Sequence, residues 1–259
     1  MRAMGVVGFG VVVLLGLWPS APVMAASPAY TALGDSYSSG VGAGGYSDPG
    51  GCRRSANAYP VRVAQRLGAR LTFAACSGAR AGDVQGQLGS LGAATAYVSV
   101  SVGGNDAGFS HVLIECAKPW PWDCSDDVAG AQAYIRGSLP GILGRLYSKI
   151  RALAPRARVA VVGYPRLFKP DDSCWAGAKI SKLEVRDLNR TADLLRDVVR
   201  AQAQAQGFRF ADPMPSFAGH AVCDSGPWLH GLASPLGDSF HPNASGQAHY
   251  AELVEAALR

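Results

Sequence analysis

Ser36 sits in the run Gly34-Asp35-Ser36-Tyr37-Ser38, directly behind a short apolar segment, and His241 sits in Asp238-Ser239-Phe240-His241-Pro242, near the far end of the chain. A serine hydroxyl is a weak nucleophile until a neighbouring base takes its proton, and a histidine imidazole suits that task. Asp238, three residues before His241, is the carboxylate expected to hold the second ring nitrogen, fixing the tautomer and stabilising the imidazolium. Between these blocks lie Cys76-Ser77-Gly78-Ala79 and Gly103-Gly104-Asn105-Asp106. The backbone amides of Ser36 and Gly78 and the side-chain amide of Asn105 would give an oxyanion hole three donors as a tetrahedral intermediate forms. The chemistry such a set performs is acyl transfer, from an ester to serine and then to water.

Taken singly, each piece has a plainer explanation. Gly, Asp and Ser fill turns, and Gly237-Asp238-Ser239 repeats the triplet. Ser239 is only two residues from His241, whereas Ser36 has a strand behind it to hold it in place. Of the five histidines, His111, His220, His230 and His249 lack what His241 has, an acid three residues earlier. Asp238 as a turn cap and Asn105 as a helix cap are the structural alternatives. No G-x-S-x-G occurs, so the sharp strand–turn–helix elbow of the α/β-hydrolases is not indicated.

The elements that must position these residues alternate. Residues 30–34, 70–75, 97–102, 159–163 and 208–211 read as strands; 58–67, 128–153, 180–206 and 245–258 read as helices, the second of them broken or kinked at Pro140-Gly141. Residues 35–51 read as loop. Such alternation predicts an α/β fold, one domain with a parallel sheet covered on both faces and its site beyond the carboxyl ends of the strands. Ser36, Gly78, Asn105 and Tyr164-Pro165 all follow predicted strands.

Residues 1–26 read as a signal peptide: Arg2 gives a positive start, an apolar run too short to span a bilayer follows, and Val23-Met24-Ala25 offers small residues for cleavage after Ala25 or Ala26. Residues 27–259 then form the single catalytic domain of a secreted, extracellular protein. The formal net charge of +5 is scattered, with an adjacent basic pair at Arg53-Arg54, and no basic stripe with interleaved aromatics favours nucleic acid. Six cysteines (Cys52, Cys76, Cys116, Cys124, Cys174 and Cys223) in an exported chain imply disulfides, and no C-x-x-C suggests a zinc cage. Connectivity does not follow from spacing, although Cys116 and Cys124 are near enough to staple one loop. With no H-E-x-x-H, phosphate-binding loop or dinucleotide fingerprint, neither a metal nor an organic cofactor is expected.

Together the blocks are far more specific than their parts. GDSYSSG at 34–40, ACSGA at 75–79, GGNDAGF at 103–109, GYPR at 163–166 and DSFHPNASGQ at 238–247 resemble the SGNH (GDSL) hydrolase superfamily, in particular its secreted actinobacterial lipases and esterases. The resemblance implies a three-layer α/β/α sandwich with a central parallel sheet, Ser36 as nucleophile, Gly78 and Asn105 as oxyanion donors and His241 as base. It also implies the pairs Cys52–Cys76, Cys116–Cys124 and Cys174–Cys223. Much of that superfamily uses an acid three residues before the histidine, while some secreted relatives use a backbone carbonyl and keep only a dyad; Asp238 is the residue expected here.

The function so indicated is a secreted carboxylic ester hydrolase acting on small-molecule or lipid esters through an acyl-enzyme, a monomer in transient contact with lipid surfaces. The rivals are a polysaccharide O-deacetylase of the same mechanism and a non-catalytic lipid- or carbohydrate-binding domain. Phe109, Trp120, Trp122, Trp175, Trp228 and Phe240 are candidates to line an acyl groove, with Trp228 favoured by its place near His241.

Overall fold

A computed structural model describes residues 26–48, 51–119, 121–169 and 180–259, the strand backbone at 174–175 and 179, and isolated positions within the first eight. The expected signal peptide, residues 1–26, lies almost wholly outside the described residues. The strands are β1 (Ala29–Gly34), β2 (Arg70–Phe73), β3 (Thr95–Ser101), β4 (Arg158–Val162), β5 (Cys174–Trp175), β6 (Lys179–Ile180) and β7 (Arg209–Ala211). Five of them form one parallel sheet in the order β2-β1-β3-β4-β7, while β5 and β6 pair antiparallel by themselves. β1, β3 and β4 are buried almost without interruption, as central strands covered on both faces must be, whereas the edge strand β2 alternates with solvent.

The helices are α1 (Ser36–Ser39), α2 (Tyr59–Leu67), α3 (Ala81–Gln87), α4 (Phe109–Cys116), α5 (Ser125–Gly137), α6 (Leu139–Leu153), α7 (Lys182–Ala205) and α8 (Ala244–Leu258). α2 packs on α8, while α6 packs on α3, α5 and α7, giving a helical layer on each face of the sheet. The outer layer's contact with the core is made by Ile135, Leu139, Leu143, Leu146 and Ile150, all fully buried. The helix expected over 128–153, broken or kinked at Pro140-Gly141, is two helices, parted at Ser138, two residues before that proline. The break precedes Pro140 because a proline in the first turn of α6 forfeits no hydrogen bond and its fixed φ suits a helix start. α3 and the one-turn α1 were not legible; residues 35–51 read as loop throughout.

The chain steps from β1 outward to β2, then returns across β1 to β3, so the order reverses between β1 and β3. Crevices open at such a point. Gly34 makes the two strand ends close: at φ 123°, a Cβ on it would lie 2.7 Å from Ser101 N, and the Asp35 N–H donates to Ser101 O at 3.1 Å. Cys52–Cys76 and Cys116–Cys124 are bonded as the resemblance implied. Cys223 is disulfide-bonded too, but the side chain of Cys174 lies outside the described residues. Among the described residues, no helix is long and apolar enough to cross a membrane.

Candidate active site

Ser36 is the first residue of α1, and the residue before it fixes that helix. Asp35 Oδ1 accepts from the Tyr37 N–H at 3.0 Å and from the Ser101 hydroxyl at 2.6 Å, and Oδ2 accepts from the Tyr164 hydroxyl at 2.5 Å. The Tyr164 oxygen in turn accepts from the Gly104 N–H at 3.4 Å. The Ser36 turn after β1, the Asn105 loop after β3 and the turn after β4 are thus tied through one buried carboxylate.

His241 comes from the opposite end of the chain, on the segment leading into α8. Its Nε2 lies 2.7 Å from Ser36 Oγ, and its Nδ1 lies 2.8 Å from the Ser239 carbonyl oxygen. A carbonyl oxygen only accepts, so Nδ1 carries the proton and the Nε2 lone pair faces the serine. Phe240, at φ 60°, makes the turn that aims this carbonyl back at the ring. The backbone is pinned on both sides: the His230 N–H donates to His241 O at 2.9 Å, and the Tyr37 hydroxyl donates to Phe240 O at 3.0 Å.

Asp238 does not take the place expected of it. Its carboxylate pairs with the Arg53 guanidinium and accepts from the Tyr46 hydroxyl at 2.8 Å. The Nδ1 position it would have filled is occupied by the Ser239 carbonyl, so the geometry is a Ser–His dyad, the alternative arrangement.

Neither the Ser36 nor the Gly78 N–H has an acceptor among the described residues. Asn105 Nδ2 donates to Ala79 O at 3.1 Å, which fixes the amide and leaves its second proton available. Ser36 and Asn105 line one cavity; Gly78 and Asn105 line another that shares Ser110 with it. The cap of α4 is Gly108, not Asn105.

The first cavity, about 180 Å3, has Ser36 and His241 in its floor and apolar walls: Phe109, Leu113 and Ile114 from α4, facing Leu232, Leu236 and Phe240. Of the aromatics singled out in the sequence, Phe109 and Phe240 are there. Trp228 is not; it stacks on His220 at 3.7 Å, away from the cleft. Trp122 is exposed. Trp120 and the Trp175 side chain lie outside the described residues.

Residues 32–249 match the GDSL-like lipase/acylhydrolase family. The chain belongs to it. Over 260 residues it is 43% identical to Lipase 1 of Streptomyces coelicolor, with 96% of each protein covered. It is similar to the crystal structure of an extracellular lipase from Streptomyces rimosus, with a TM-score of 0.84 and 42% identity over 89% of this chain and 100% of that one. Phospholipase A1 from Streptomyces albidoflavus is equally similar in shape, with a TM-score of 0.84 and 41% identity over 90% and 100% of the two chains. This GDSL-family chain is therefore a serine ester hydrolase of the lipase/esterase type, with the three-layer α/β/α fold and a small-molecule ester as substrate.

Burial dominates the electrostatics of the GDSL-family site. Loss of water pushes the His241 imidazole down to about 4; the bond to Ser239 O raises it and the Arg53 charge lowers it, with smaller opposing contributions from Asp238 and His230. Burial pushes the Asp35 carboxyl up to about 6, against the hydrogen bonds from Ser101, Tyr164 and the Tyr37 N–H, with Asp106 adding to the rise. At neutral pH the imidazole is uncharged and able to accept a proton. Sequence reading placed Tyr164 at the ligand end of the sheet without giving it a role, and missed Tyr46 and Arg53 as parts of this site. Tyr164 carried a signal, since it follows a predicted strand at the end of the sheet where ligands bind; Arg53 and Tyr46 carried none.

Proposed function

We propose that the chain cleaves lipid acyl esters, phospholipids among them, by a Ser36–His241 dyad. The observation that carries this reading is the 2.7 Å contact between Ser36 Oγ and His241 Nε2, with Nδ1 bonded to a carbonyl that fixes the tautomer. His241 Nε2 takes the hydroxyl proton as Ser36 Oγ attacks the ester carbonyl. The resulting oxyanion receives the Ser36 and Gly78 N–H groups and the free Asn105 amide proton. The intermediate collapses, the alcohol leaves with the proton from Nε2, and water repeats the sequence to release the acid and restore Ser36.

The apolar walls support an acyl chain rather than an acetyl group alone, and one relative is a phospholipase A1. That favours the lipid reading over polysaccharide deacetylation. Residues 1–26 serve as a cleaved leader for the single catalytic domain 27–259. The two disulfides fit an oxidising compartment, and Ile114 and Leu236, exposed at the cleft mouth, fit brief contact of a monomer with a lipid surface.

Hydrolysis of p-nitrophenyl esters from acetate to palmitate, wild type beside Ser36→Ala, tests the reading. Activity is expected on medium and long chains and is lost in the variant, together with covalent labelling by a fluorophosphonate. An acetate-only preference would sink the lipid assignment; labelling that survives Ser36→Ala would sink the nucleophile. N-terminal sequencing of the exported protein should begin after Ala25 or Ala26, and an uncleaved Met1 would refute the leader.

A further inference from the structure

Arg53 and Asp238, 185 residues apart, meet at the rim of the site. We propose that Arg53 is a positioning residue that makes this site a dyad: by capturing the Asp238 carboxylate it keeps that acid off the imidazole and leaves Nδ1 to the Ser239 carbonyl. The inference rests on His241 being the base.

Asp238 stands where a triad acid would stand. It is three residues before His241, and the His241 N–H donates to its backbone carbonyl at 3.3 Å. The side chain turns elsewhere because stronger partners hold it there. Arg53 Nη2 donates to Asp238 Oδ1 and, at 3.0 Å, to the Tyr46 hydroxyl, which itself donates to Asp238 Oδ1 at 2.8 Å. The guanidinium also lies 4.7 Å over the Tyr46 ring, and the Tyr46 oxygen accepts from the Gly42 N–H at 2.9 Å. A permanently charged donor stacked on the Tyr46 ring outcompetes a neutral imidazole N–H for a carboxylate.

Arg53 is itself held from two sides. It follows Cys52, whose disulfide to Cys76 and whose carbonyl, accepting from the Ser77 N–H at 3.0 Å, fasten it to the turn that carries Gly78. On the other side it lies flat against Gly237, where a Cβ would come within 2.5 Å of Arg53 Nη1. The backbone at Arg53 is left-handed, φ 52°, a conformation that non-glycine residues adopt at a cost and that aims the side chain toward the His241 loop. One short segment therefore joins the Gly78 turn to the loop of the base.

The charged and titratable groups acting on the imidazole are few. Arg53 and His230 lower its proton affinity and Asp238 raises it. The Tyr37 ring, 5.5 Å away, stays protonated because burial pushes its phenol up. With Asp238 tied to Arg53, its carboxylate is held off Nδ1 and acts on the ring less than Arg53 does. Without Arg53, the carboxylate is free to turn to Nδ1 and raise the basicity of the imidazole.

The test is a double-mutant cycle read by NMR in the resting enzyme, following the His241 imidazole titration and its low-field Nδ1 proton. The His241 signal is assigned by its loss in His241→Gln. Asp238→Asn is expected to change the proton affinity of His241 by less than about threefold in the wild-type background, but by tenfold or more, about one pKa unit, in Arg53→Met. Arg53→Met alone should move the Nδ1 proton downfield, and Arg53→Lys should not. Equal effects of Asp238→Asn in both backgrounds would overturn the capture. If Arg53→Met does not fold, Arg53→Gln carries the same cycle, and a loss of turnover near 10⁴ in Asp238→Asn, as when a true triad acid is neutralised, would also overturn the capture. Because the titration needs no turnover, its failure is distinct from a failure of the ester-hydrolase reading, whose nucleophile Ser36→Ala tests.

Discussion

The Tyr164 hydroxyl lies 2.5 Å from Asp35 Oδ2 and 3.4 Å from the Gly104 nitrogen, so one phenol joins the cap of the helix that begins at Ser36 to the loop of Asn105. Tyr164→Phe removes a donor from a buried carboxylate that has no cation among its hydrogen-bond partners. Such a loss costs about 1.5–3 kcal/mol, the range for hydrogen bonds to charged groups. Urea unfolding should register that cost, and turnover should fall more than substrate affinity, because the loosened parts hold the reacting atoms. Unchanged stability and turnover would show that Tyr164 merely fills space.

As the proposed oxyanion donor, Asn105 would contribute through a single amide proton, its other being engaged by Ala79 O. Asn105→Ala should lower kcat by roughly 10²–10³, the usual loss for one oxyanion donor, with KM little altered. Steady-state kinetics on a medium-chain p-nitrophenyl ester would measure it. A change confined to KM would place Asn105 in binding rather than in the oxyanion site.

The acid limb of activity should lie far below the ordinary range for histidine. Burial holds the imidazole near 4 in the free enzyme, so the ring remains deprotonated at pH 5. The rate of fluorophosphonate labelling should hold from pH 7 to 5 and halve near 4. Halving near 6.5 would mean that the imidazole is not desolvated; halving near 6, abolished in Asp35→Asn, would assign the limb to the carboxylate beneath the nucleophile.

Why some of this was legible and some not follows from how each contact is made. Parallel strands buried on both faces declare themselves as apolar runs, so the sheet and the positions of Ser36, Gly78 and Asn105 at strand ends were readable. The Ser–His pairing rested on local wording that survives in the linear chain. Asp238 misled because its spacing from His241 was right while its partner was Arg53, a residue distant in sequence that no local pattern announces. Ser239 was dismissed as a rival nucleophile, yet its backbone carbonyl holds the His241 ring; main-chain roles leave no mark on residue type. α3, with Gly82 and Gly86 in its seven residues, has too little helix propensity to be seen.

Asp35 and His241 have exchanged the usual order of their titrations, and this predicts an unusual pH dependence of stability. His241 titrates at 6.5 when solvated and at about 4 here, so the stability it contributes is whole above 6.5 and lost as pH falls through 4. Asp35 moves from 3.8 to about 6, so its contribution is whole below 3.8 and lost as pH rises through 6. Between these limits, folding releases a proton at one site and takes one up at the other, each with a slope of at most about 1.36 kcal/mol per pH unit and of opposite sign. The two offset in the wild type. Relative to it, Asp35→Asn should lose stability on going from pH 6 to pH 4, because only the imidazole then responds. His241→Gln should gain over the same interval, because only the carboxyl does. Urea unfolding of the three proteins at pH 4, 5 and 6 measures the divergence; three parallel profiles would mean that neither group is shifted as its burial requires.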